Sequence, residues 1–128
     1  MTNYTHIISK SIIINMKIDW RDQLASEFEH AERARAEGNE GRARVCARRA
    51  AGIAIREYFL RRGIPFSGTS AYDLLGRLIE SPEIRPDLKK NCIHLTLRVS
   101  EDFRLPVKVD LIEESRQLCG ALLPDWMT

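Results

Sequence analysis

A chain of 128 residues that is 44% hydrophobic and 30% charged has the length of one domain, and it can bury a core without metals or disulfides to staple it. With only 5 prolines and 7 glycines it has the composition of a helix-rich globular protein, which excludes extended disorder. The net charge of +2 excludes a uniformly basic protein, yet it conceals a strong local asymmetry.

Residues 1–15, MTNYTHIISKSIIIN, stand apart from the rest, with runs of β-branched residues and almost no charge. Lys10 and Ser11 interrupt the apolar run, which is too short to span a membrane and lacks the charged start and small-residue cleavage site of a signal peptide. Two readings stand: an arm that pairs with another element, such as its own copy in a dimer, or an extension upstream of a start at Met16. MKIDWRDQL reads as a natural opening, which favours the second. One domain over 16–123, a tail over 124–128 and a cytoplasmic location are expected.

From Asp19, a plausible N-cap, the residues Trp20, Leu24, Phe28, Ala31 and Arg35 recur at spacings of three and four, which predicts an amphipathic helix. Gly38-Asn39-Glu40-Gly41 stops it and makes a tight connection to a second long helix, so the two form an antiparallel hairpin. The second helix is expected to bury Cys46, Ala50, Ile53 and Leu60, with Val45, Gly52, Ile55 and Phe59 widening that face. Its small residues at 47, 50, 51, 52 and 54 let a neighbour come close. Gly63 is placed as its stop, and 64–69 read as a Pro/Gly loop.

A short third helix follows, with Ser70 and Asp73 resembling a capping box and Ala71, Leu74, Leu75, Leu78 and Ile79 facing inward. Ser81-Pro82 ends it. A fourth helix is expected from near Pro86 through Leu88, Cys92, Leu95 and Val99, with a break over 103–106. A fifth runs from about Val109 to Leu122, with Asp110 and Glu113 as its capping pair. The fold class is therefore all-α, an antiparallel bundle of four to five helices built on a long helical hairpin.

The charge asymmetry sits in the second helix. Residues 41–62 hold seven arginines and one glutamate, whereas 1–40 and 63–128 each sum to −2. At 3.6 residues per turn Arg42, Arg49 and Arg56 share one face, and Arg44 and Arg48 form an i, i+4 pair beside them. Such a stripe can follow a phosphate backbone, because guanidinium binds phosphate oxygens in pairs with little sequence preference. It can equally meet Glu27, Glu29, Glu32 and Glu37 of the first helix in a salt network. Arg42, Arg49, Arg56 and Arg48 are the candidate binding residues.

No phosphate loop, zinc-protease or EF-hand spacing is present, and no cofactor is indicated. Cys46, Cys92 and Cys119 are odd in number and widely spaced, with no histidine at metal-ligand spacing, so they read as buried small hydrophobes. Cys92 and His94 point apart on a helix and cannot act as nucleophile and base.

The order of elements, with CARRAAGIAIREYFLRRG in the second helix, a Gly/Pro loop and the short SAYDLLGRLIE helix, resembles the HEPN family of small helical bundles over about Trp20 to Leu118. The resemblance implies a homodimer. Many family members are metal-independent ribonucleases, often toxins or defence factors, and others are non-catalytic partners of small nucleotidyltransferases. Catalytic members place an Arg four to six intervening residues before a His on a late helix. Here Lys89 takes the Arg position before His94, and Arg98 lies one turn after it.

Lys89 could supply charge to a phosphorane and His94 could move a 2′-hydroxyl proton, but Lys lacks the planar fork of arginine. The expectation is therefore a non-catalytic HEPN-like module that binds RNA, a nucleotide or a nucleotidyltransferase-like protein. The alternatives are a degenerate HEPN ribonuclease using Lys89, His94 and Arg98, and a purely structural oligomerisation domain. In the non-catalytic readings His94 is an ordinary helix residue, packed or hydrogen-bonded to a neighbour. Trp126 is either an exposed contact or a disordered tail residue.

Overall fold

Asn39 makes the first decisive turn: its side chain accepts a hydrogen bond from the Arg42 backbone N–H at 3.1 Å, which caps a new helix. The computed structural model describes residues 19–98 and 108–127. It comprises α1 (Trp20–Ala36), α2 (Glu40–Arg62), α3 (Ala71–Ile79), α4 (Pro86–Thr96) and α5 (Leu111–Leu122), with no strand among the described residues. This is the all-α bundle expected from the sequence. Glu40 and Gly41 belong to α2 rather than to the connection, so the hairpin turn is only Glu37 to Asn39.

The other boundaries follow from local chemistry. Gly63 adopts the left-handed conformation (φ 63°) that ends α2, and Ile64 N–H reaches back to the Phe59 carbonyl at 2.9 Å. Ser70 caps α3 by accepting from Asp73 N–H at 3.1 Å, and Asp110 caps α5 by accepting from Ile112 and Glu113 N–H. Pro86 opens α4, where its missing N–H costs nothing. α4 ends at Thr96; Val99, the break at 103–106 and the segment 1–15 lie outside the described residues.

α2 is the axis of the bundle. It packs against α1, α3 and α5, touches α4, and buries an arc containing Ala43, Ala47, Ala50, Ala51, Ala54, Ile55, Tyr58 and Phe59. α5 and α3 each also pack on α4, which closes the bundle on that side. At Gly52 a Cβ would lie 3.1 Å from the Ala71 Cβ, so the absence of a side chain is what lets the start of α3 rest on α2. Ser115 adds a polar tie by donating its hydroxyl to the Ala47 carbonyl at 2.7 Å.

Two expectations about packing are corrected. Leu60 and Val45, expected on the buried face, are exposed at 62% and 44%, and Ile53 is only half-buried. Because three helices press on α2, its small residues define the interior, and these aliphatics fall on the one side left open. The tail is not loose: Trp126 stacks on Phe28 with ring centroids 5.5 Å apart, and Leu123 is fully buried. All three cysteines are buried and unpaired, and burial pushes the Cys92 and Cys119 thiols up to about 12, which leaves them unreactive at neutral pH. No helix among the described residues is long and apolar enough to cross a membrane.

Candidate functional site

Six of the seven arginines of α2 separate into three environments, and Arg62 lies 4.6 Å from the centre of the Tyr58 ring. On the open side, Arg42, Arg49 and Arg56 are exposed, as their seven-residue spacing requires. Arg49 is bound by Glu27 at 3.0 Å. The other acidic residues of α1 that could neutralise this stripe turn elsewhere: Glu29 pairs with Arg33 at 2.9 Å and Glu32 with Arg116 at 3.4 Å. Among the described residues, no carboxylate pairs with Arg42 or Arg56.

At the C-terminal end of α2, Arg61 is neutralised twice. It pairs with Glu57 at 2.8 Å and with both oxygens of Asp125 at 3.0 Å, and Arg21 joins the same carboxylate at 2.9 Å. Both guanidiniums also lie on the Trp20 ring, at 4.8 Å for Arg21 and 5.1 Å for Arg61. The hydrogen bonds to Arg61 hold the Asp125 carboxyl below its ordinary value.

On the flank facing α3 and α4 the arrangement differs. Arg48 is half-buried, and its Nε–H donates to the Leu95 carbonyl in the last turn of α4 at 2.7 Å. Its guanidinium lies 4.6 Å from the centre of the Tyr72 ring, and Arg98 lies 4.9 Å from the same centre. Arg44 stands one turn before Arg48. Burial lowers the Arg48 pKa; Tyr72 acts the other way, and the charges of Arg98 and Arg44 lower it further. Among the described residues no carboxylate pairs with Arg44, Arg48 or Arg98.

His94 lies in a cleft of about 640 Å³ between α4 and α5, with Arg85, Lys90, Asn91, Glu114 and Gln117 in its lining. Its Nδ1 is hydrogen-bonded to Glu114 Oε1, and the other oxygen of that carboxylate accepts from the Asn91 amide, which also contacts Gln117 at 3.3 Å. His94 and Glu114 are largely buried, with side chains 15% and 16% exposed. His94 is therefore hydrogen-bonded to a neighbouring helix.

The set Lys89, His94 and Arg98 is not assembled. An i, i+4 spacing puts Lys90 on the face of His94, whereas Lys89, one residue earlier, turns about 100° away from Lys90 around the helix. Arg98 follows the end of α4 and lies on Tyr72 instead. The i, i+4 rule could have selected Lys90, but Glu114, Asn91 and Tyr72 carry no local signal, because their partners lie on other helices. Among the described residues no group of His, Cys, Asp and Glu is placed to hold a metal ion.

The fold and these sites define the class: an all-α bundle with arginine-bearing faces that its own carboxylates leave partly uncompensated. Comparisons with family models, curated proteins and solved structures found no match.

Proposed function

We propose that this chain is a non-catalytic helical module of HEPN type that binds RNA through the open side of α2. One observation carries the reading: among the described residues Glu27 on Arg49 is the one carboxylate that pairs with the stripe, and Arg42 and Arg56 stay exposed with none. Arg42 and Arg56 are fourteen residues apart, so they bracket about 21 Å of helix. That length suits several phosphates of one strand, and exposed Val45 and Leu60 between and beyond them add apolar contact for bases. Pairing of this side with its own copy would set arginine against arginine, which disfavours a homodimer through α2.

A second reading rests on His94. Glu114 holds its Nδ1, which leaves Nε2 for proton transfer in a cleft that Lys90 and the Asp87-paired Arg85 also line, an arrangement a metal-independent ribonuclease would use.

Fluorescence anisotropy with a single-stranded oligoribonucleotide separates the two. The Arg42→Glu/Arg56→Glu double variant is expected to bind about 100-fold more weakly at low salt and to shallow the salt dependence by about two counterions. Salt-insensitive or absent RNA binding would overturn the RNA reading and bring forward a nucleotidyltransferase-like partner or a structural oligomerisation role. Metal-independent cleavage of the same oligonucleotide that disappears in His94→Ala would establish the ribonuclease.

A further inference from the structure

Among the described residues two arginines meet on one aromatic ring twice, and one of the two pairs has a counterion there. On Trp20, Arg21 and Arg61 share the Asp125 carboxylate, which takes two parallel hydrogen bonds from Arg61 and one from Arg21. On Tyr72, Arg48 and Arg98 lie at equivalent distances with Arg44 one helical turn away, and no carboxylate of the described residues reaches them.

The local compensation is too small for this charge. The C-terminal end of α4, which receives Arg48, offers about half an elementary negative charge, and ring quadrupoles attract a cation only weakly at a partly exposed site. Against three guanidiniums this leaves about two positive charges that the described residues do not compensate, around the half-buried Arg48. Arg48 spends its Nε–H on Leu95, so its Nη edge remains without a partner among the described residues. That edge is the part of a guanidinium that binds two oxygens of an oxyanion.

We propose that Arg48 and Arg98, which meet on Tyr72, and Arg44, one helical turn before Arg48, form a binding site for a phosphate monoester, occupying the place that Asp125 takes on Trp20. A monoester is favoured over a diester because it carries close to two negative charges at pH 7, matching the excess, whereas a diester carries one. The assignment deepens the RNA reading and rests on it for the source of the group: the phosphorylated end of a strand enters the Tyr72 site while its backbone follows the open side of α2. A free nucleotide monophosphate presents the same chemistry.

The test uses the full chain with two RNAs of one sequence, one carrying a 5′-phosphate and one a 5′-hydroxyl, and inorganic phosphate and AMP in thermal denaturation at constant ionic strength. The phosphorylated strand is expected to bind at least ten-fold more tightly. Arg98→Ala, at an exposed position beyond the end of α4, and Arg44→Ala are expected to erase that difference while retaining binding of the hydroxyl strand. Equal affinity for the two RNAs, or a preference that survives both substitutions, overturns the monoester site and leaves the α2 reading intact. If neither RNA binds, the α2 reading fails; an Arg98-dependent rise in melting temperature with inorganic phosphate and AMP then supports the site with a nucleotide as its source, and no rise with either overturns it.

Discussion

The Trp20 and Tyr72 sites are built alike and end differently. In each, two arginines from distant parts of the chain meet over one ring, at 4.8 and 5.1 Å on Trp20 and at 4.6 and 4.9 Å on Tyr72. At Trp20 the tail returns Asp125 to close the charge, and the Arg61 pKa is held above its ordinary value by that carboxylate first and Glu57 second. At Tyr72 no carboxylate of the described residues closes it, and the Arg48 pKa is lowered, chiefly by burial. The lesson is that an arginine–aromatic contact does not by itself mark a binding site; the presence or absence of an internal carboxylate separates a structural clamp from a receptor.

The largest expected effect tests whether Arg48 is structural as well as receptive. Arg48→Ala strips the Leu95 carbonyl of a charged hydrogen bond, which should cost about 2 kcal/mol of stability in chemical denaturation without added anion. Arg98→Ala, which carries no such bond, should unfold at nearly the wild-type midpoint. An equal loss in the two variants would mean that the Tyr72 site is a clamp like its counterpart.

A smaller effect should follow from giving the open site its own carboxylate. Arg44→Glu replaces a like charge with an i, i+4 partner for Arg48, and it is expected to raise stability by about 0.5 kcal/mol while abolishing stabilisation by inorganic phosphate. Continued protection by phosphate would show that the anion binds elsewhere.

The smallest effect is at the closed site and appears on acidification. The Asp125 pKa is lowered below its ordinary 3.8, first by its hydrogen bond to Arg61, so its contribution is fully present above that value and fades as the pH falls from there through the lower folded value. Tryptophan fluorescence and near-ultraviolet circular dichroism should report loosening of Trp126 from Phe28 in that window. In Asp125→Asn the step should vanish. Sulfate binding at Tyr72 should pass through the same window unchanged, since no carboxylate of the described residues takes part there.

Much of the fold was legible in the chain because the signals are local. Ser70, Asp110 and Gly63 act within four residues of their own positions, so cap and stop could be read directly. Pro86 placed the start of α4 in the same way. Burial on α2 was less legible: its five alanines share one face, but Val45, Ile53 and Leu60 are more hydrophobic and looked like core, and they fall on the side that α1, α3 and α5 leave open. The arginine stripe at 42, 49 and 56 was visible by spacing, but its neutralisation at a single rung was not. Glu29 stands on the outer face of α1, where it pairs with Arg33 one turn on, and Glu32 turns to Arg116 of α5, which only the packed helices reveal.

The sequence by itself determined an all-α bundle of four to five helices, the Ser70 and Asp110 caps, the Gly63 stop, an alanine-rich central helix and an excess of charge along it, because each depends on residues within one or two turns of each other. Tertiary structure alone decided which cations are compensated. Asp125 lies 64 positions from Arg61, Arg48 lies 47 from Leu95, and Glu114 lies 20 from His94, so these pairings exist only once the helices have packed. A charge is neutralised by what stands within a few ångströms of it, and that distance is set by the fold rather than by the order of residues.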